Sequence, residues 1–294
     1  VILDDQAAQI GTLRASGALM VKKPLTLRHP YEGRSVIESL TLQSELTVPN
    51  SELRIHDGDG TASLEVGAGA SLTVDPEATL VLDGSDSLPV DEEAEAFDQG
   101  LMVGRTGPAS LRVSNGAVVS SGEAGVGIGA LADGQVTVIG TDSQWRLNDE
   151  DLVVGLAGVG SLTIEDGGRV DDIDDLEIGH GGEADEEGEG NSEGIVRVEG
   201  KDARLIVSDD LELGGSGMGR LTIAAGGEVQ SAETVIGGDE GGPGIAHVTG
   251  RAPQQPAANP SQWDTGDDTL PIGDWGPGEL TIDARASYTM DETS

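Results

Sequence analysis

The sequence predicts an all-β fold: a single-stranded parallel β-helix, or β-solenoid, with three strands per coil and about ten coils. Three observations point there. An aliphatic pair ending in Gly returns at Gly104, Gly129, Gly155, Gly179, Gly214, Gly237 and Gly273, at spacings of 25, 26, 24, 35, 23 and 36 residues. After each comes a short spacer and an alternating triplet: Leu111-Arg112-Val113, Val136-Thr137-Val138, Leu162-Thr163-Ile164, Val196-Arg197-Val198, Leu221-Thr222-Ile223, Ala246-His247-Val248 and Leu280-Thr281-Ile282. Helical periodicity is absent over any useful length. A period of this size marks a stacked array, whose repeated residues serve stacking first.

Within each triplet the outer residues face one way and the middle residue the other, giving a strand with one buried and one wet face. The N-terminal stretch keeps the rhythm without the glycine phrase. Leu40-Thr41-Leu42, Leu46-Thr47-Val48 and Leu53-Arg54-Ile55 form one set of strands. Leu64-Glu65-Val66, Leu72-Thr73-Val74 and Leu80-Val81-Leu82 repeat it at offsets of 24, 26 and 27 residues. Ile10, Leu19, Val21, Leu25 and Leu27 supply a less regular first coil. The chain therefore divides into N-terminal coils (1–82), an acidic loop insertion (83–100) and glycine-rich repeats (101–294). Two further insertions, 181–194 and the Pro-rich 251–260, account for the two long spacings and fall outside the strands. From Leu101 onward the coils also pair, giving a double unit of 51 to 59 residues.

Only 2% of residues are aromatic, so the core is expected to be thin and built from Leu, Val and Ile layers. The net charge is −38, with 16 basic and 54 acidic residues. Such a surface repels nucleic acid and anionic membrane and favours solubility. There is no Cys, which excludes a disulfide scaffold and Cys-ligated metal. No apolar run approaches the length of a spanning helix, so no membrane insertion is expected. The chain starts at Val1 without a leader-like segment and reads as a mature or trimmed product.

The stretch LVVGLAGVGSLTIEDGGRV (152–170) and its copy LELGGSGMGRLTIAAGGEV (211–229) resemble the repeat of autotransporter (type V secretion) passengers and PEP-CTERM-associated proteins. The companion half is GQVTVIGTDSQW (134–145), its Ser-x-Trp returning at Ser261-Gln262-Trp263. The resemblance covers about residues 101–288. It implies a right-handed parallel β-helix on a secreted or cell-surface protein, and no defined activity. Neither a translocator barrel nor a Pro-Glu-Pro anchor is found, which departs from both groups.

Several residues invite chemistry. Paired acids stand just before one strand in successive coils: Glu150-Asp151, Asp174-Asp175 and Asp209-Asp210, with Asp268 in the equivalent place two coils later. Stacking would set such carboxylates about 5 Å apart. Ca²⁺ would relieve the repulsion, so these six acids are candidate metal ligands, although no complete calcium-loop spacing is present. Asp57-Gly58-Asp59-Gly60 is only a fragment of such a loop. Gly179-His180-Gly181, near Asp171-Asp172 and Asp174-Asp175, is similar to the short His motif of polygalacturonases. Two carboxylates across a sugar bond serve as acid and base in glycoside hydrolysis. Gly179 is the ordinary repeat glycine, however, and no basic partner motif accompanies it. The outward Thr47, Thr73, Thr137, Thr163, Thr222 and Thr281 suggest an ice-binding column, interrupted by Arg112, Arg197 and His247. Their strand propensity explains them at lower cost. Trp145 and Trp263 read as core or corner fillers, and Trp275 as the exposed aromatic.

These readings converge on a non-catalytic structural protein of the bacterial surface or extracellular space, a stalk, adhesin scaffold or self-assembling fibre subunit. No catalytic residue or required cofactor is assigned, and Ca²⁺ is a candidate ligand. Expected partners are other copies stacked end to end, or flanking β-helix coils, because a solenoid leaves strand edges open at its termini. Residues 280–290 read as a coil cut short, and Val1-Ile2-Leu3 as an apolar opening segment. The competing classes are a polysaccharide-acting β-helix enzyme and a carbohydrate-binding module, either of which would engage extracellular polysaccharide.

Overall fold

A computed structural model describes residues 100–181, 192–238, 241–250, 260–266, 270–283 and 285–290 in full, together with the strands between Ile2 and Asp83. Among the described residues there are strands and turns and no helix. Every strand pairing is parallel. The pairings sort into three ladders, one per side of a β-solenoid.

The first side stacks the triplets in the predicted register. Leu40 pairs with Leu64, Leu64 with Leu111, Leu111 with Val136, and the column continues through Leu162, Val196, Leu221, Ala246 and Leu280. The second side runs Leu46, Leu72, Val119, Trp145, Val170, Leu205, Val229, Trp263, Tyr288. The third runs Leu53, Leu80, Leu101, Ala124, Leu152, Leu176, Leu211, Thr234. A buried aliphatic column lines each side, and together they form one continuous core. Alternation makes this automatic: along Val159–Glu165 the burial switches at every residue, with Leu162 and Ile164 inward.

Two details correct the sequence expectation. Residues 100–290 build about seven turns and the strands between Ile2 and Asp83 continue the same ladders, so the coil count differs only slightly from the ten expected. The turns also do not all hold three separate strands. In Gln144–Val154 and Arg169–Ile178 the second and third sides fuse into one long strand with a register shift. Left-handed residues turn those corners, Asn148 (φ 58°) and Asp149 (φ 61°) in one and Asp172 (φ 55°) in the other. Around the predicted acidic loop, whose residues 84–99 lie outside the described ones, the chain leaves the third side at Thr79–Asp83 and re-enters it at Gly100–Val103. That side gains a strand while Leu64 still stacks on Leu111. The Pro-rich 251–259 and the acidic 182–191 also lie outside the described residues.

The corner between third and first sides is a close backbone-to-backbone contact built from two glycine columns. Gly104, Gly127, Gly155, Gly179, Gly214, Gly237 and Gly273 all have φ between 73° and 82°. Each from Gly127 onward donates its N–H to the carbonyl just before the preceding column member, as in Gly127 N to Val103 O at 2.9 Å and Gly155 N to Val126 O at 2.8 Å. Gly127 therefore replaces Gly129 as the repeat glycine. In Gly125-Val126-Gly127-Ile128-Gly129 the sequence offers three candidates, and the pairing of Val103 with Val126 selects the middle one. The second column is Gly134, Gly160, Gly194, Gly219, Gly244 and Gly278. These have ordinary φ, but a Cβ on Gly160 would lie 2.2 Å from Val126 O and 2.4 Å from Gly155 N. Backbone occupies the space a side chain would need.

This separates two reasons for glycine. Gly241 has φ 88° with nothing within 4 Å of a built Cβ, so Gly241→Ala meets only backbone strain, about 1–2 kcal/mol. Gly160→Ala meets only backbone atoms. It should cost about 3 kcal/mol or more and lower the thermal midpoint further than Gly241→Ala, as measured by scanning calorimetry.

Candidate functional site

The acidic edge forms where the second side turns into the third. Leu152, Leu176 and Leu211 stack on one another, so the acids just before them also stack. The structure gives these carboxylates a backbone partner. Asp151 Oδ1 accepts the N–H of Asp175 at 3.3 Å, and Asp175 Oδ1 accepts the N–H of Asp210 at 3.1 Å. Each acid thus caps an amide on the next turn at a corner where the sheet ladder is broken. A buried or half-buried amide needs such a partner, and Asp and Asn are the residues that supply one locally. The stacking is legible in the sequence; the capping is not, because it depends on which atom faces the next amide.

Asp174, Asp175 and Asp209 also bring one carboxylate oxygen each within 4.8 Å of one another. Glu150, Asp151 and Asp210, exposed like Asp174 and Asp209, are outside this trio. Exposed acidic groups commonly approach this closely without an ion. Asp268 and Asp57–Gly60 lie outside the described residues. The electrostatic cost shows at Asp151. Burial raises its pKa above the ordinary carboxylate value, and the charges of Asp175, Asp174 and Glu177 push the same way, against the Asp175 amide, which lowers it.

The motif around His180 is placed elsewhere. Gly179 is a member of the positive-φ column, and His180 follows it at the glycine corner. His180 Nδ1 lies 2.7 Å from Glu177 Oε2, both half-exposed. Its carbonyl accepts the N–H of Ser216 on the next turn. Asp171 sits on the second side, buried, with its two carboxylate oxygens held by Gln144 Nε2 at 2.9 and 2.8 Å and an ion pair to Arg169. Asp172 is the left-handed corner residue. Of the acids near His180 in sequence, Asp171 and Asp175 have carboxylates engaged in structural hydrogen bonds. Thr137 and Thr163 stand half-buried on the outer surface of the first side between the exposed Arg112 and Arg197, and Thr222 follows between Arg197 and His247.

The Ser-x-Trp phrases resolve into corner chemistry that the sequence did not disclose. Ser143 is buried, and its Oγ accepts the N–H of Gly116 on the preceding turn at 3.0 Å. Ser261 does the same for Gly226 at 3.1 Å. The corners themselves alternate. Asn115-Gly116, Asp166-Gly167 and Ala225-Gly226 place two left-handed residues in succession, whereas the intervening corners use Gly140 with Asp142 and Gly200 with Asp202. This alternation is the physical content of the double unit. Trp145 and Trp263 are fully buried, and Trp275 is 72% exposed, as expected from sequence.

Because the folded state raises the Asp151 pKa, folding favours its proton. The associated stability is present below the ordinary carboxylate range, about pH 4, and is lost as pH rises through the raised pKa. Asp151→Asn keeps an oxygen for the Asp175 amide and removes the charge. It should raise the thermal midpoint at about pH 7, with the gain over wild type closing below about pH 4, as followed by circular dichroism.

Compared with known proteins, the chain matches no family model, no curated protein and no solved structure.

Proposed function

We propose that this chain is a non-catalytic structural β-solenoid of the bacterial surface or extracellular space, acting as a stalk or adhesin scaffold and joining end to end into fibres. The observation that carries this reading is how the repeated residues are used. The glycine columns, the buried serines and the capping carboxylates all serve the stacking of one turn on the next. In a repeat array the conserved geometry is a shape, and function follows from that shape.

End-to-end association is supported at the last described turn. Strands Gly278–Ile282 and Ser287–Met290 are each paired on one edge only among the described residues. Ile272, Trp275, Ile282 and Met290, four of the five exposed large apolar side chains among the described residues, belong to the same turn. Open parallel edges accept parallel strands, so either a second copy stacked head to tail or further coils of the same kind would satisfy them. A secreted location and kinship with autotransporter or PEP-CTERM-associated repeats are the finer form of the proposal. They rest on the quoted repeat phrases and on an acidic surface suited to a screened, salty medium. Ca²⁺ at the Asp174, Asp175 and Asp209 trio belongs to the same proposal, as a cross-turn brace.

Negative-stain microscopy of the purified chain, with and without Ca²⁺, tests the fibre. Filaments of stacked rods, lengthening with protein concentration, are expected. Isolated rods at every concentration and in both buffers contradict end-to-end joining. The polysaccharide-acting alternative predicts release of reducing sugar from acidic polysaccharides, and we expect none.

A further inference from the structure

The molecule contains its own control for one buried group. Trp145 and Trp263 occupy equivalent places on the second side, one stacked on Val119 and the other on Val229. In the first copy the indole N–H of Trp145 donates to Ser121 Oγ at 2.9 Å, inside the core. The residue equivalent to Ser121, two after the stacked Val, is Ser231. Ser231 is buried too, but its hydroxyl is bonded to Thr234 at 2.8 Å. The position of Thr234 is held in the first copy by Ala124, which has no hydroxyl to compete. The indole N–H of Trp263 is left fully buried with no protein partner.

The rest of the pocket changes in the same sense. Leu147, two residues after Trp145, becomes the smaller and polar Thr265. Thr265 is fully buried and shares a 2.9 Å hydrogen bond with the Tyr288 hydroxyl. Tyr288 packs edge-on to Trp263, with ring centroids 5.9 Å apart and planes at 80°. A corner with the single hydroxyl of Ser121 in one copy has become a hydroxyl cluster of Ser231, Thr234, Thr265 and Tyr288 in the other. Each Ser or Thr hydroxyl has one proton and two lone pairs, so the bonds among these residues leave acceptor capacity unused. A buried indole donor beside unused hydroxyl acceptors meets the condition for internal water, which is held where two to four polar partners converge.

We infer that the core beneath the last described turn binds an ordered water molecule, accepting from the Trp263 indole N–H and donating its two protons to two of the Ser231, Thr234 and Thr265 hydroxyls. The equivalent site at Trp145 is dry because Ser121 answers the indole directly. Thr234 creates the site by engaging Ser231.

Water-to-indole NOE and ROE spectra of the ¹⁵N-labelled full chain test this. Trp275→Phe and Trp145→Phe identify the three indole signals; Ser121→Ala, which shifts the Trp145 signal, replaces the latter if it does not fold. The Trp263 indole should show a direct, long-lived contact with water while exchanging slowly with bulk D₂O. The Trp145 indole should show slow exchange and no water contact, and the Trp275 indole fast exchange. In Thr234→Ala, Ser231 is released to Trp263 and the water contact should disappear. Absence of a water contact at Trp263 in the wild type, or exchange there as fast as at Trp275, overturns the assignment. A water contact that persists unchanged in Thr234→Ala overturns the role given to Thr234.

Discussion

Successive turns of this protein meet backbone to backbone at one corner, and that contact governs the rest of the structure. Two columns of glycine share it. One supplies left-handed φ and an N–H aimed at the carbonyl one turn below; the other leaves that carbonyl room. With no Cβ tolerated in either column, the third and first sides are held at a fixed offset turn after turn. The aliphatic columns inside then need no individual fitting. Leu, Val and Ile alternate freely down the first side because strand alternation and the corner have already set their place. Length variation is displaced to sites that do not disturb the corner. Thr163 still pairs with Arg197 across the 182–191 insertion, and Val229 with Trp263 across 251–259.

The remaining corners solve the complementary problem of amides that the ladders cannot reach. Ser143 and Ser261 answer Gly116 and Gly226, and Asp151 and Asp175 answer the amides of Asp175 and Asp210. Breaking the buried Ser261–Gly226 pair leaves a donor unsatisfied, at about 1–3 kcal/mol. The acidic column therefore has a structural reason to exist despite its own repulsion, which registers in the raised pKa of Asp151. A cation at Asp174, Asp175 and Asp209 would add to this arrangement without being needed to explain it.

Much of the architecture was legible in the chain because side-chain alternation and strand stacking have fixed periods. The triplets at Leu40, Leu64, Leu111 and onward to Leu280 are true neighbours, and Trp275 is the exposed aromatic among the described residues. What escaped the sequence depends on dihedral angles and atom-level aim. Composition could not show which of Gly125, Gly127 and Gly129 takes the left-handed turn. Nor could it show that Gln144–Val154 would bend through a corner as one strand, since Asn148 and Asp149 look like ordinary loop residues until their φ is known. The paired acids read as a metal edge because charge is visible in a sequence and an amide one turn away is not. The difference between Trp145 and Trp263 was hidden for the same reason: it turns on Ala124 against Thr234, far away in the chain and adjacent in the core.

The central claim is that equivalent triplets stack in parallel at one strand spacing per turn. Spin labels at Thr137→Cys and Thr281→Cys, in a chain with no native Cys, test it directly, since five rungs separate these outward positions on the first side. At ~4.8 Å per rung, a narrow distance distribution centred near ~24 Å by pulsed electron paramagnetic resonance is predicted. A broad distribution, or one centred beyond ~40 Å, would contradict the stack and everything inferred from it.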